Sequence, residues 1–84
     1  MKLKKLLDKT SKMTDVVLFD NHDEIFASVV QDNGSDSGYS LLCVKSDSHT
    51  VKENFDRTPY TIDSYKVEYI VPLEFETLGV QVSW

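Results

Sequence analysis

The chain has 84 residues, of which 40% are hydrophobic, and its fourteen acidic and nine basic residues leave a formal net charge of −5. That length suits one domain, 1–84, with a small core that buries roughly 60–65% of the unfolded surface. The single cysteine, Cys43, excludes an internal disulfide. The absence of any apolar run near about 18–20 residues leaves no expectation of a membrane helix.

Charge is unevenly spread. Lys2, Lys4, Lys5, Lys9 and Lys12 against Asp8 make residues 1–12 +4, whereas four cations against thirteen carboxylates make residues 13–84 −9. Phosphate backbones repel such a body, so direct nucleic-acid binding is not expected, while a protein with a basic cleft is steered toward it. The basic start meets Asp8 directly after Leu6-Leu7, without the apolar stretch of a secretory signal. A reduced Cys43 within Leu41-Leu42-Cys43-Val44 fits a cytoplasmic protein.

Residues 2–13 are predicted to be a helix, because Leu3, Leu6, Leu7, Thr10 and Met13 recur on one stripe of a 3.6-residue period. Asp15–Asp20 and Ile25–Gln31 read as strands around the polar turn Asn21-His22-Asp23-Glu24. In the first strand Val16 and Leu18 face one way and Val17 and Phe19 the other, the pattern of a central strand covered on both sides. Residues 32–38 are a loop, and Tyr39–Lys45 a third strand. Thr50-Val51-Lys52-Glu53 matches a capping box and predicts a short helix at 51–57, stopped before Pro59.

Residues 65–76 alternate. Tyr65, Val67, Tyr69, Val71, Leu73 and Phe75 are expected on a buried face, with Lys66, Glu68, Ile70, Pro72, Glu74 and Glu76 on a wet one. Pro72 marks a bulge or an unpaired edge position, because it cannot donate to a ladder. Thr77-Leu78-Gly79 is expected to turn the chain into a last strand, Val80 to Trp84, with Trp84 closing the core. The fold class is α+β: an N-terminal amphipathic helix on an antiparallel sheet of four or five strands that ends in a hairpin. The second face of the first strand requires a cover, and Val51, Phe55 and Ile62 are the expected covering side chains, with Val17, Phe19 and Ile70 beneath them.

No phosphate loop, nucleophile–base pair or metal constellation is spaced for chemistry. Gly34, Gly38 and Gly79 are scattered, and the ligand types at Asp20, His22, Asp23 and Glu24 would need a distant contributor such as His49. The reading is therefore non-enzymatic, without cofactor or metal. The candidate binding residues are carboxylates: a row of Glu68, Glu74 and Glu76 with Asp63 nearby, and a second cluster of Asp20, Asp23, Glu24, Asp32 and Asp36. Same-face strand neighbours stand about 6.5–7 Å apart, close to the phosphate spacing along one nucleic-acid strand.

The opening Lys2-Leu3-Lys4-Lys5-Leu6-Leu7-Asp8, then Val16-Val17-Leu18-Phe19-Asp20 and Glu24-Ile25-Phe26, resembles small helix-plus-sheet proteins of bacterial phages and mobile elements. Several small acidic phage proteins of that build are anti-CRISPR proteins. The resemblance implies an inhibitor in the host cytoplasm that blocks a host defence protein, a CRISPR effector nuclease, by occupying its basic nucleic-acid site. It carries over no binding residue. The alternative is a homo-oligomeric accessory or regulatory protein, a homodimer through its second sheet face.

Overall fold

The structure is a computed structural model and describes residues 1–43 and 55–84. It is an α+β fold in which an N-terminal α-helix, α1 (Leu3–Lys9), lies over a five-stranded sheet. The strands are β1 (Asp15–Phe19), β2 (Ile25–Gln31), β3 (Tyr39–Cys43), β4 (Lys66–Leu73) and β5 (Thr77–Ser83), in the order β3-β2-β1-β5-β4. β1 is central, as its apolar alternation requires.

The helix is shorter than its periodicity suggests. Leu3 and Leu7 are buried, Leu6 packs beside them, and Lys9 occupies the last turn, where a cation suits the helix dipole. Thr10 already has extended backbone. Its hydroxyl donates to the Leu6 carbonyl at 2.8 Å, and the Ser11 hydroxyl accepts from the Met13 N–H at 3.3 Å. These local side-chain bonds compete with the helical ladder. Met13 is consequently outside the helix and 81% exposed.

The sheet is mixed, not purely antiparallel: β5 runs parallel to β1, in the register Val16 with Leu78 and Leu18 with Val80. The reason lies in the hairpin. β4 carries Pro72 and a register shift between Val67 and Tyr69, so it serves as an edge and cannot be paired on both sides. β5, with buried Val80 and Val82, takes the inner place against β1. Its turn also differs from expectation. Residues 74–76 turn the chain, while Thr77, Leu78 and Gly79 already belong to β5.

The shift at Glu68 corrects the expected alternation of β4. Val67 pairs with buried Val82 and lies on the helix side, but Tyr69 pairs with Gln81, Val71 with Gly79 and Leu73 with Thr77, all on the opposite side. Ile70, paired with Val80, is on the helix side and not beneath the second face. β4 is mostly exposed, and Phe75 is 90% exposed.

Among the described residues the core lies between the sheet and α1. Leu18, Val80, Val82, Phe26, Leu3 and Tyr65 are essentially inaccessible. A register shift between Leu18 and Phe19 lets consecutive Phe26 and Ala27 both be buried. The return from β3 to β4 ends on this same side. A 3-10 turn, Ile62–Ser64, buries Ile62, and the Tyr65 phenol donates to the Pro59 carbonyl. Phe55 packs against this core as well, edge-on to Tyr60 at 5.7 Å. Ile62 and Phe55 therefore cover the helix side, not the face of Val17 and Phe19. Residues 55–57 are helical; the rest of the expected 51–57 helix, Val51 with it, and the end of the predicted 39–45 strand lie outside the described residues. Trp84 meets Phe26 at 6.0 Å and Tyr65 at 5.8 Å, both edge-on, yet is 56% exposed: it borders the core without closing it.

Candidate functional site

Strand directions sort the carboxylates. The β1–β2 turn, the end of β5 and the start of β4 share one end of the sheet, while the start of β1, the 32–38 loop and the β4–β5 turn share the other. The expected row therefore does not exist. Glu68 stands at the first end and Glu74 and Glu76 at the second, about 20 Å away along β4. The 20–36 cluster is divided in the same way, with Asp20, Asp23 and Glu24 at the first end and Asp32 and Asp36 at the second. Asp63 belongs to neither group. It lies on the helix side, where the Lys2 ammonium donates to its carbonyl oxygen at 3.4 Å.

Two of these carboxylates are committed to the fold. Asp20 is buried, and its Oδ1 accepts from the His22 and Glu24 N–H groups at 2.8 and 3.0 Å, which closes the β1–β2 turn. Asp32 accepts from the Gly34 N–H at 2.9 Å and from the Ser40 hydroxyl. Those donors, Ser40 foremost, hold its carboxyl below its ordinary value. Both groups thereby hold loops of the fold together. Asp23, with a left-handed backbone at φ 61°, is exposed but accepts from the Tyr69 phenol at 2.9 Å. That bond is the main reason the Tyr69 phenol is raised. Glu24, Asp36, Glu68, Glu74 and Glu76 are solvent-exposed.

A cleft of about 350 Å³ opens between the end of α1 and the start of β1, lined among others by Asp8, Lys12, Gln31 and Tyr39. The Tyr39 phenol donates to Asp8 at 2.9 Å, and Lys4 pairs with the same carboxylate at 2.9 Å. The Lys4 and Tyr39 hydrogen bonds lower the Asp8 carboxyl, and burial, followed by Asp8, raises the Tyr39 phenol. These shifts favour an ionised Asp8 carboxylate hydrogen-bonded to a protonated Tyr39 phenol and to the Lys4 ammonium. Among the described residues no three His, Cys, Asp or Glu side chains converge as metal ligands, and no helix is long and apolar enough to cross a membrane.

The larger feature is the sheet face away from α1. Pairing places Val17, Phe19, Ile25, Val30, Leu42 and Val71 there, with Tyr69 and Leu73 on β4. Leu42 is 52% and Tyr69 47% exposed, and Val17 and Phe19 are half-buried. Five strands about 4.8 Å apart and about 20 Å long give a face of about 500 Å², on which Ser28, Ser40, Thr77 and Gln81 stand among the apolar residues. The alternation in β1 signalled this second face; the displacement of Tyr69, Val71 and Leu73 onto it depends on the shift at Glu68 and carries no sequence signal of its own.

The face ends at the β4–β5 turn. Phe75 and Glu76 both have φ of 56°, the left-handed region, at a cost of order 1–2 kcal/mol each for residues other than glycine. The turn is held by the Asp15 N–H, which donates to the Glu76 carbonyl at 3.0 Å. Glycine or asparagine would fit there without strain. Instead a large aromatic ring stands in water between two glutamates.

Comparison with family models, curated proteins and solved structures finds no significant match to the chain.

Proposed function

We propose that the chain is a non-enzymatic, phage-type inhibitor that binds the basic nucleic-acid site of a host defence protein, and more narrowly an anti-CRISPR protein acting on an RNA-guided nuclease. The observation that supports this most is the segregation of charge. Five lysines lie within residues 1–12, on and beside α1, while exposed carboxylates gather at both ends of the sheet. A protein so polarised approaches a basic surface with its sheet and turns the helix outward. The partner acts through several exposed charges, so its affinity falls steeply with salt.

The test is phage infection of bacteria carrying an RNA-guided defence nuclease. Expression of the chain restores plaques, and the purified chain blocks target cleavage by that nuclease in proportion to its concentration. Unchanged plaque counts and uninhibited cleavage across the nuclease types tested would refute the anti-CRISPR reading. A second reading, a homo-oligomeric accessory protein joined through the open sheet face, draws on the exposure of Leu42, Tyr69 and Leu73. Light scattering at micromolar concentration separates it from a monomeric inhibitor.

A further inference from the structure

We infer that Phe75 and the open face of β4, β5 and β1 form a docking surface for a protein segment with an apolar centre flanked by Lys or Arg, and that Phe75 is its anchor. This rests on the reading of the chain as a protein-binding domain and adds where and by what chemistry it binds.

Three observations converge on this surface. Phe75 is 90% exposed at a position whose backbone favours glycine. A ring kept in water on a strained turn serves nothing in the fold, because it packs on no part of the core, and strain of this kind collects where a side chain has to be presented. Phe75 also follows Leu73 and Val71 in the chain, at the end of a partly apolar face that α1 and the 3-10 turn do not cover. Lastly, that face has carboxylates at both ends: Glu74, Glu76 and Asp15 beside Phe75, and Asp23 and Glu68 opposite.

Charge selects the occupant. Nucleic acid and anionic lipid are repelled by both ends. A second copy seated face to face would set carboxylates against carboxylates, and it would bury only about 500 Å² per chain where a stable interface takes about 800 Å². The β4 edge is closed to strand addition by Pro72 and the shift at Glu68, and its first residues are taken by the N-terminus, with the Val67 N–H donating to the Met1 carbonyl at 2.8 Å. A protein segment with a recess for an aromatic ring and cations beside it meets all three features. It reaches past the apolar face onto the acidic ends and so enlarges the interface.

The probe is a displayed library of random peptides selected on the full chain, with enriched peptides synthesised and titrated. Enriched peptides are expected to combine an aromatic or aliphatic centre with Lys or Arg flanks. Phe75→Asn is expected to weaken them at least about 30-fold, the size of a hot-spot loss, while raising the melting temperature by about 2–6 °C through relief of the left-handed strain. Phe75→Tyr retains binding. Glu74→Gln with Glu76→Gln weakens binding and flattens its salt dependence. Basic peptides that bind Phe75→Asn as tightly as the parent overturn this surface but leave the protein-binding reading standing. No enrichment or peptides without basic bias overturn the inference alone, since the inhibitor reading stands or falls on plaque counts and cleavage; a parent chain that dimerises and loses its dimer in Phe75→Asn overturns both.

Discussion

Replacement of Gly79 by alanine tests how β1 and β5 meet on the open face. Gly79 has ordinary strand backbone, so conformation does not require glycine there; space does. A Cβ at this position would stand 2.5 Å from Phe19 Cε2 and 3.2 Å from both Leu73 Cδ1 and the Val71 carbonyl oxygen. The parallel register that pairs Val17 with Gly79 sets the Phe19 ring across the bare backbone. The carbonyl belongs to the β4–β5 ladder and cannot give way cheaply, so the ring has to move. Overpacking of this kind costs about 1–3 kcal/mol. Loss of glycine's freedom in the unfolded chain returns about 0.4–1 kcal/mol. The net expectation is a destabilisation of about 1–2 kcal/mol, which lowers the melting temperature by about 5–10 °C in a domain of this size. Thermal and urea unfolding followed by circular dichroism measure it. In a Phe19→Ala background the closest clash is absent, and Gly79→Ala should then cost little beyond its contacts with β4; the double-mutant cycle reads that coupling. A Gly79→Ala variant as stable as the parent, or zero coupling to Phe19, would refute the register-based packing of this face.

Two further predictions concern the fold. Asp20→Ala removes the acceptor of the His22 and Glu24 N–H groups and should cost about 1–2 kcal/mol in urea unfolding, whereas Asp20→Asn, which keeps one oxygen, should cost visibly less; equal costs would mean the carboxylate does not hold the turn. The Asp8 and Asp32 carboxyls are both lowered by hydrogen bonds in the folded state, so the unfolded chain binds protons more readily and the stability they contribute, full above about pH 4, is lost as pH falls through their depressed values. Ser40→Ala removes the largest cause at Asp32 and should make the acid limb of a melting-temperature profile shallower; an unchanged limb would exclude Asp32 as a contributor.

The sequence by itself determined the local and the periodic. Leu3, Leu6 and Leu7 place a helix at the start. Val16 to Phe19 declare a central strand with two apolar faces, and Asp20 to Glu24 declare a turn. These features depend on residues within a few positions of one another, whose spacing alone decides which face they share. The acidic body and basic N-terminus were equally legible, because charge is a sum over residues.

Tertiary structure decided everything that depends on which strand lies beside which. The alternation of β4 could not reveal that a shift at Glu68 sends Tyr69, Val71 and Leu73 to the side opposite Val67, since a bulge is a property of the pair and not of one strand. Nor could spacing in the chain show that Asp20 and Asp32 spend their carboxylates on backbone and hydroxyl donors. Whether Phe55 and Ile62 cover one face or the other was set by the path of the return from β3 to β4. Pro72 forces β4 to the edge, β5 therefore takes the place beside β1, and the return packs with α1. Among the described residues, α1 and the segment of Phe55 and Ile62 spend their apolar side chains on the helix side of the sheet and not on the face of Val17 and Phe19.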